Sequence, residues 1–397
     1  MPDQLLIVGG GFAGFWAALA ARRVAGDRAT VSVVSREPIL QMRPRLYEAQ
    51  PETLGVDLLP LLGAAGVQFI AGDAVGLDVS ASEVRLRSGK RIGFDRLVVA
   101  TGSVMRRPPV PGALLAHSID TQDEAIALDR RLAVLCEASP ATATVIVVGA
   151  GFTGIELALE LRDRMAALGN AALGERMKIV LVDRALVVGS ELGEGPRPVI
   201  EEALVTARVE LRLGANIMSF STNAISFADG STLTGDAIVL TTGMVAAPFA
   251  ECVPGERDSL GRLKVDTTLR APAAPKVFVT GDAATAETGG DHATLQSCQH
   301  ALQLGRFAGE NAARDLLGLP GLPYEQARYV TCLDLGRSGA VLTEGWDRRV
   351  LYSGDEGKAL KRRINTQVIY PPTGLSAGAL IAFSGTAPDD QRPPGAT

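Results

Sequence analysis

The sequence predicts an α/β chain in which a three-layer unit with a parallel sheet occurs twice, followed by a small mixed C-terminal region. Two observations carry this. Gly9-Gly10-Gly11-Phe12-Ala13-Gly14 follows an apolar run at residues 5–8, and Gly149-Ala150-Gly151-Phe152-Thr153-Gly154 follows another at 145–148. Each is a buried strand that breaks into a glycine turn and opens a helix, the first step of a Rossmann-like dinucleotide-binding βαβ unit. Each half then carries a later strand ending in a Thr-Gly turn, at 96–102 and 237–243; Thr101 lies 92 residues after Gly9 and Thr241 lies 92 after Gly149. Equal offsets suggest one architecture present twice. Two pyrophosphate cradles in one chain suggest electron traffic between two dinucleotides.

Taken in order, residues 4–9 read as a strand and 12–25 as a helix whose small residues (Ala13, Ala17, Ala20, Ala21) let it sit close to the sheet. Residues 30–35 read as the second strand. Short strands follow at 67–70, 74–79, 83–87 and 91–94, with Ser88-Gly89-Lys90 as a turn. The strand 96–100 closes this half, and the proline-rich stretch 106–112 is a linker. The second half repeats the scheme: strand 144–148, helix 152–168, strand 178–183, helix 196–206, short strands between 209 and 234, and a closing strand 237–241. A strand at 276–280 ends in Gly281-Asp282, and a helix is expected over 293–317. The expected domains are 1–112 and 249–325 for the first nucleotide, 113–248 for the second, and 326–397 as the C-terminal region.

Composition narrows the function. A chain of 397 residues suits two or three domains, and 47% hydrophobic with 21% charged residues is globular. The net charge of −5 argues against nucleic acid as a partner. Cys136, Cys252, Cys298 and Cys332 stand far apart, with no zinc spacing and no CxxC pair, which fits a reducing, cytoplasmic compartment. No secretory signal and no run of about twenty apolar residues is seen, so only peripheral membrane contact is left open.

The glycines act through backbone geometry, letting helix N-terminal amides face a pyrophosphate. The acid that reads an adenosine ribose stands at the end of the second strand. In the second half this is Asp183, which favours NADH over NADPH, with Arg184 beside it arguing the other way. In the first half the position is Ser35, followed by Arg36 and Glu37. Serine makes one hydrogen bond where an acid makes two, a departure from the pattern.

With these residues in view, the chain resembles the FAD-containing pyridine nucleotide oxidoreductases over residues 4–320, and within them the type II NADH dehydrogenases. The resemblance rests on Gly9, Gly11 and Gly14, on Ala100-Thr101-Gly102, on Gly149, Gly151 and Gly154 with Ile155-Glu156-Leu157-Ala158, and on residues 277–283, Val-Phe-Val-Thr-Gly-Asp-Ala. It implies that the first cradle, with Ser35, Arg36, Thr101 and Gly102, holds FAD, and that Gly281 and Asp282 bind the flavin's ribityl and phosphate region. It implies NADH in the second cradle with Asp183, Thr242 and Gly243. Glu156 is implied to lie by flavin and nicotinamide. An Ala-Gln-x-x-x-Gln motif usual in the family reads Leu295-Gln296-Ser297-Cys298-Gln299-His300 here. Gln296 and His300 are expected on one helix face, with His300 as a proton donor near neutral pH or, equally, a histidine satisfied by a backbone carbonyl. Cys298 is a redox thiol or core packing. No cysteine lies between Gly14 and Tyr47, so the disulfide relay of related reductases is not expected.

The function expected is hydride transfer from NADH to FAD and onward to a quinone, in the cytoplasm, with peripheral contact on the cytoplasmic face of a membrane left open. Two rivals stand beside it: a soluble NADH-dependent flavin reductase or oxidase with a non-quinone acceptor, and a non-catalytic FAD/NADH sensor. A sulfide:quinone oxidoreductase fits less well, because it needs paired reactive cysteines. The apolar stretch 374–383 dips into a bilayer surface, caps a homodimer, or belongs to the core.

Overall fold

A computed structural model describes residues 2–386 apart from Ala327 and Thr373. The polar, proline-rich tip beyond lies outside the described residues. The α/β expectation holds: two parallel sheets dominate, each built around the strand that precedes a glycine turn.

In the first sheet, Asp3–Val8 lies between Ala29–Ser35 and Arg96–Val99, all parallel. Gln68–Ala71 extends one side; Ala274–Val279 extends the other and pairs antiparallel with Arg270–Ala271. In the second, Thr144–Val148 lies between Lys178–Val182 and Ala237–Leu240, flanked by Val209–Arg212 and His117–Ser118. Each central strand is buried on both faces, which is why these runs are continuously apolar rather than alternating. In each sheet the chain order reverses beside the central strand, so the crevice for a ligand opens at its carboxyl end.

The duplication extends to the accessory strands. Ala74–Asp78, Glu83–Leu86 and Arg91–Gly93 form an antiparallel meander in the first half; Ile217–Phe220, Ala224–Phe227 and Thr232–Thr234 form its counterpart. The register corrects the equal offset, however. Val8 pairs with Val99, 91 residues on, whereas Val148 pairs with Leu240, 92 residues on. Thr101 therefore corresponds to Thr242, not Thr241. Just after the two Thr-Gly turns, Ser103–Met105 and Met244–Ala246 pair antiparallel and join the halves.

The helix Cys298–Leu316 begins five residues later than expected, because Ser297 caps it by accepting the His300 amide. It lies on the helix Phe12–Ala25 at very short range. A methyl group on Gly305 would meet Ala13 O, and one on Gly309 would meet Ala17 O. Gly309→Leu is expected to cost at least about 2 kcal/mol, because backbone cannot yield as a side chain can; an unchanged thermal midpoint would contradict this packing account. Sequence reasoning passes over the helix Gln122–Ala138, although Thr121 and Glu124 form its capping box.

The C-terminal region holds the antiparallel strands Val330–Asp334, Ala340–Glu344 and Arg349–Tyr352, then the helix Gly354–Arg363. The apolar stretch near the end is settled in part. Ala377–Ala382 is helical, Leu380 is buried in the main core, and the Phe383 ring lies 5.5 Å from that of Trp16. Among the described residues, no helix is long and apolar enough to cross a membrane.

Candidate functional site

The two glycine turns have the same geometry. Gly9 N donates to Val34 O and Gly149 N to Val182 O, each at 2.8 Å. Gly9 and Gly149 take φ of +115° and +113°, and a methyl group on either would strike the backbone of Ala100 or Thr241. Gly14 and Gly154 are equally constrained, since a side chain there would run into the carbonyl of Gly9 or Gly149. These four positions need glycine to close the turn. Gly11 differs: it has an ordinary φ of −79°, and nothing lies within 4 Å of a methyl group placed on it. It caps the N-terminus of Phe12–Ala25 without a side-chain acceptor, leaving open space before a helix N-terminus, as an incoming pyrophosphate requires.

Around the first cradle the predicted residues converge. Ser35 Oγ lies beside Gly10 at the strand end, while Arg36 is exposed. Thr101 and Gly102 follow the strand next to the cradle. Ser103, directly after them, donates from Oγ to Asp282 Oδ2 at 2.6 Å. Gly281, at φ +63°, packs against Ala13 inside the glycine turn. Gln296 Nε2 donates to Asp282 O at 3.3 Å. Burial pushes the Asp282 carboxyl above its ordinary range, opposed by the Ser103 hydroxyl and by Arg43 and Arg262. The buried hydroxyls of Thr101 and Thr280, at the ends of neighbouring strands, have no partner among the described residues. A cradle with room for a pyrophosphate, orphaned hydroxyls and a hydrogen-bonded acid suit a polyhydroxylated dinucleotide.

In the second cradle, Asp183 accepts from Ala150 N at 2.6 Å and from Ala185 N at 2.8 Å. It is thus fastened to the glycine turn itself, with lone pairs left for a ribose. Gly243 takes φ +85° in the following turn. Thr242 Oγ1 donates to Arg106 O at 2.5 Å, so this hydroxyl's proton serves the linker.

Glu156 is only 3% exposed, on the helix Phe152–Ala167. Its Oε1 accepts from Lys361 Nζ at 2.7 Å and from Asp334 N at 2.9 Å. Lys361 also donates to Cys332 O, and Asp334 accepts from Lys358 and from Tyr47 OH. Burial raises Glu156 to about 7, with Lys361 the main opposing influence. Sequence reasoning missed Lys361, Asp334 and Tyr47, which come from segments remote in the chain. A lysine and an aspartate carry no local signature of meeting a glutamate two hundred residues away.

Two expectations are corrected here. Gln296 and His300 do not share a helix face, because the helix starts at Cys298 and Gln296 lies before the cap. The surroundings of His300 oppose its acting as an acid near neutral pH. It is 1% exposed, its Nδ1 lies 2.9 Å from Ser297 Oγ, and its ring stacks on Tyr329, which stacks on Trp346. Burial, reinforced by Arg262 and Arg348, lowers it to about 4. The folded value lies below the unfolded one near 6.5, so the stability that neutral His300 gives is present above that pH and is lost as pH falls towards 4. NMR titration should find this ring neutral from pH 5.5 to 8; a midpoint near 6.5 would contradict the burial account. The partner expected as a backbone carbonyl is instead the Ser297 hydroxyl, and among the described residues Nε2 has no partner. Burial also raises the Cys298 thiol to about 11, which disfavours a reactive thiolate in this state.

Comparison with known proteins agrees with this architecture. The pyridine nucleotide-disulphide oxidoreductase family matches residues 3–305. An NADH dehydrogenase-like protein of Mycobacterium tuberculosis is 40% identical over 388 residues, covering 96% of this chain and 97% of the relative. Demethylphylloquinone reductase of Synechocystis is 24% identical over 356 residues, 86% of each chain. The sulfide:quinone oxidoreductase of Aquifex aeolicus has the same fold, with a TM-score of 0.76 at 17% identity over 98% of this chain and 94% of that one. Two like cradles on two parallel sheets, and a match over three quarters of the sequence, place the chain in the pyridine nucleotide-disulphide oxidoreductase family, whose cofactors are FAD and NAD(H).

Proposed function

We propose that this flavin- and NAD(P)H-dependent oxidoreductase draws electrons from NADH and delivers them to a quinone. The observation that carries the reading is the pair of cradles on two parallel sheets, joined where the strands leaving their Thr-Gly turns meet. Gly9, Gly11 and Gly14 would hold the FAD pyrophosphate. Ser35 and Arg36 would hold its adenosine end, and Thr101, Gly102, Gly281 and Asp282 its remaining hydroxyls. Gly149, Gly151, Gly154, Asp183, Thr242 and Gly243 would hold NADH. Bound FAD supplies the acceptance of a hydride and its release as electrons.

The chain's own residues supply placement and protons. A quinone takes two protons with two electrons. Glu156, held near neutrality and bonded to Lys361, is suited to hand over a proton at physiological pH. Gln296, anchored on the Asp282 carbonyl, presents an amide beside the first cradle. His300 stays in the scheme as a neutral hydrogen-bonding group, through Nε2. The quinone reading draws support from a relative named for quinone reduction, and it implies peripheral docking on the cytoplasmic face of a membrane. Steady-state assays with NADH should show turnover with a water-soluble quinone. Turnover with dyes but with no quinone would refute the quinone acceptor, and negligible turnover with every acceptor would leave a sensor.

A further inference from the structure

We propose that Glu191 is a built-in competitor for the second cradle, a displaceable anion that sets how tightly NAD(H) is held; this rests on the reading that the second cradle takes NAD(H). Residues 183–196 fold back over the glycine turn, with Gly189 N donating to Ala150 O at 2.8 Å. Within this loop Glu191 reaches across the turn, so that a methyl group built on Gly151 would stand 2.5 Å from Glu191 Oε1. The equivalent space at Gly11 is open. The two cradles are alike in backbone and opposite in occupancy.

The electrostatics favour this placement. Gly151 caps the helix Phe152–Ala167 with no side chain, so the helix's positive end faces the carboxylate. A pyrophosphate seeks the amides at this helix N-terminus through the space at Gly151, and that space cannot hold both anions. Glu191 is an exposed, flexible side chain and can swing out. Its loop carries two glycines at positive φ, Gly189 at +58° and Gly193 at +82°. On its far side the loop rests on Arg348, whose Cγ lies 2.9 Å from a methyl group built on Gly193 and whose guanidinium donates to Tyr329 OH at 2.7 Å. The loop is thus supported at both ends while Glu191 itself is free to leave. The first cradle, with no side chain of the described residues across it, suits a group that stays bound; the second, with a resident carboxylate, suits one that is exchanged at every turnover.

The test uses the flavin-loaded full-length protein and NAD+, which binds without reducing the flavin. Calorimetry compares the wild type with E191Q and with E194Q, an exposed charge removed from the same loop three residues on. E191Q should bind NAD+ about two- to fivefold more tightly, the size of one exposed charge's effect at a helix N-terminus, and lower the KM for NADH in step. E194Q should match the wild type. Equal or weaker binding by E191Q overturns the proposal, as does an equal gain in E194Q. Absence of NAD+ binding in all three proteins would instead overturn the assignment of the second cradle, and this inference with it.

Discussion

Gly11→Val should give a folded but nearly colourless protein. Gly11 has a backbone conformation that valine adopts freely, and no atom of the described residues lies within 4 Å of the added carbon. The polypeptide therefore has no reason to reject the side chain. The pyrophosphate does, because it must approach the helix N-terminus through that space. FAD retained through purification should fall at least about tenfold, the factor that about 1.4 kcal/mol of lost binding produces. Circular dichroism should remain that of the wild type. Gly14→Val makes the contrast, since its side chain would collide with Gly9 O and disrupt the turn itself. A Gly11→Val protein with full flavin content would show that the pyrophosphate lies elsewhere.

The second large effect is expected at the buried pair. Lys361→Met leaves Glu156 without its cation, in a site where both side chains are almost fully buried. Removing one partner of such a pair costs about 3–5 kcal/mol. The pH dependence has a definite sign. Glu156 has a folded value of about 7, above its unfolded one, so the folded state binds the extra proton. Its ionisation penalty therefore appears as pH rises from about 4.3, and is complete above the folded value. Without Lys361 that value moves higher, and the loss of stability extends into the alkaline range. Lys361 is raised by Glu156, so its own contribution is lost only in strong alkali. If Glu156 hands over a proton, E156Q should lower kcat about 100-fold, the low end for acid–base catalysis, and abolish a pH–rate inflection near 7. E156Q with an unchanged profile would reduce the pair to a structural strut. Refolding the double variant E156Q/K361M should recover much of the stability that K361M loses, since no charge is then left unpaired.

What could be read from the sequence follows the range of the interactions. The cradles were legible because their requirements are local: a tight turn forces glycine at Gly9 and Gly14, and burial on both faces forces the runs beside them to be apolar. The meanders were legible from short alternating segments. The start of the helix at Cys298 was misplaced although its signal is local, since Ser297 is an ordinary N-cap residue. The protonation of His300 was not legible at all. It depends on Tyr329 and Trp346, 29 and 46 residues further along the chain, which exclude water from its ring. Glu156 was singled out by its neighbours in sequence, yet its partners Lys361 and Asp334 meet it only through the packing of the C-terminal sheet on the helix Phe152–Ala167.

The most direct measurement is anaerobic absorbance spectroscopy of the purified protein. Two cradles serving one electron path predict a yellow protein whose flavin bands bleach on adding NADH and return when a quinone is added. Bands that persist under NADH, or a protein that is colourless and takes up no added FAD, would contradict the account.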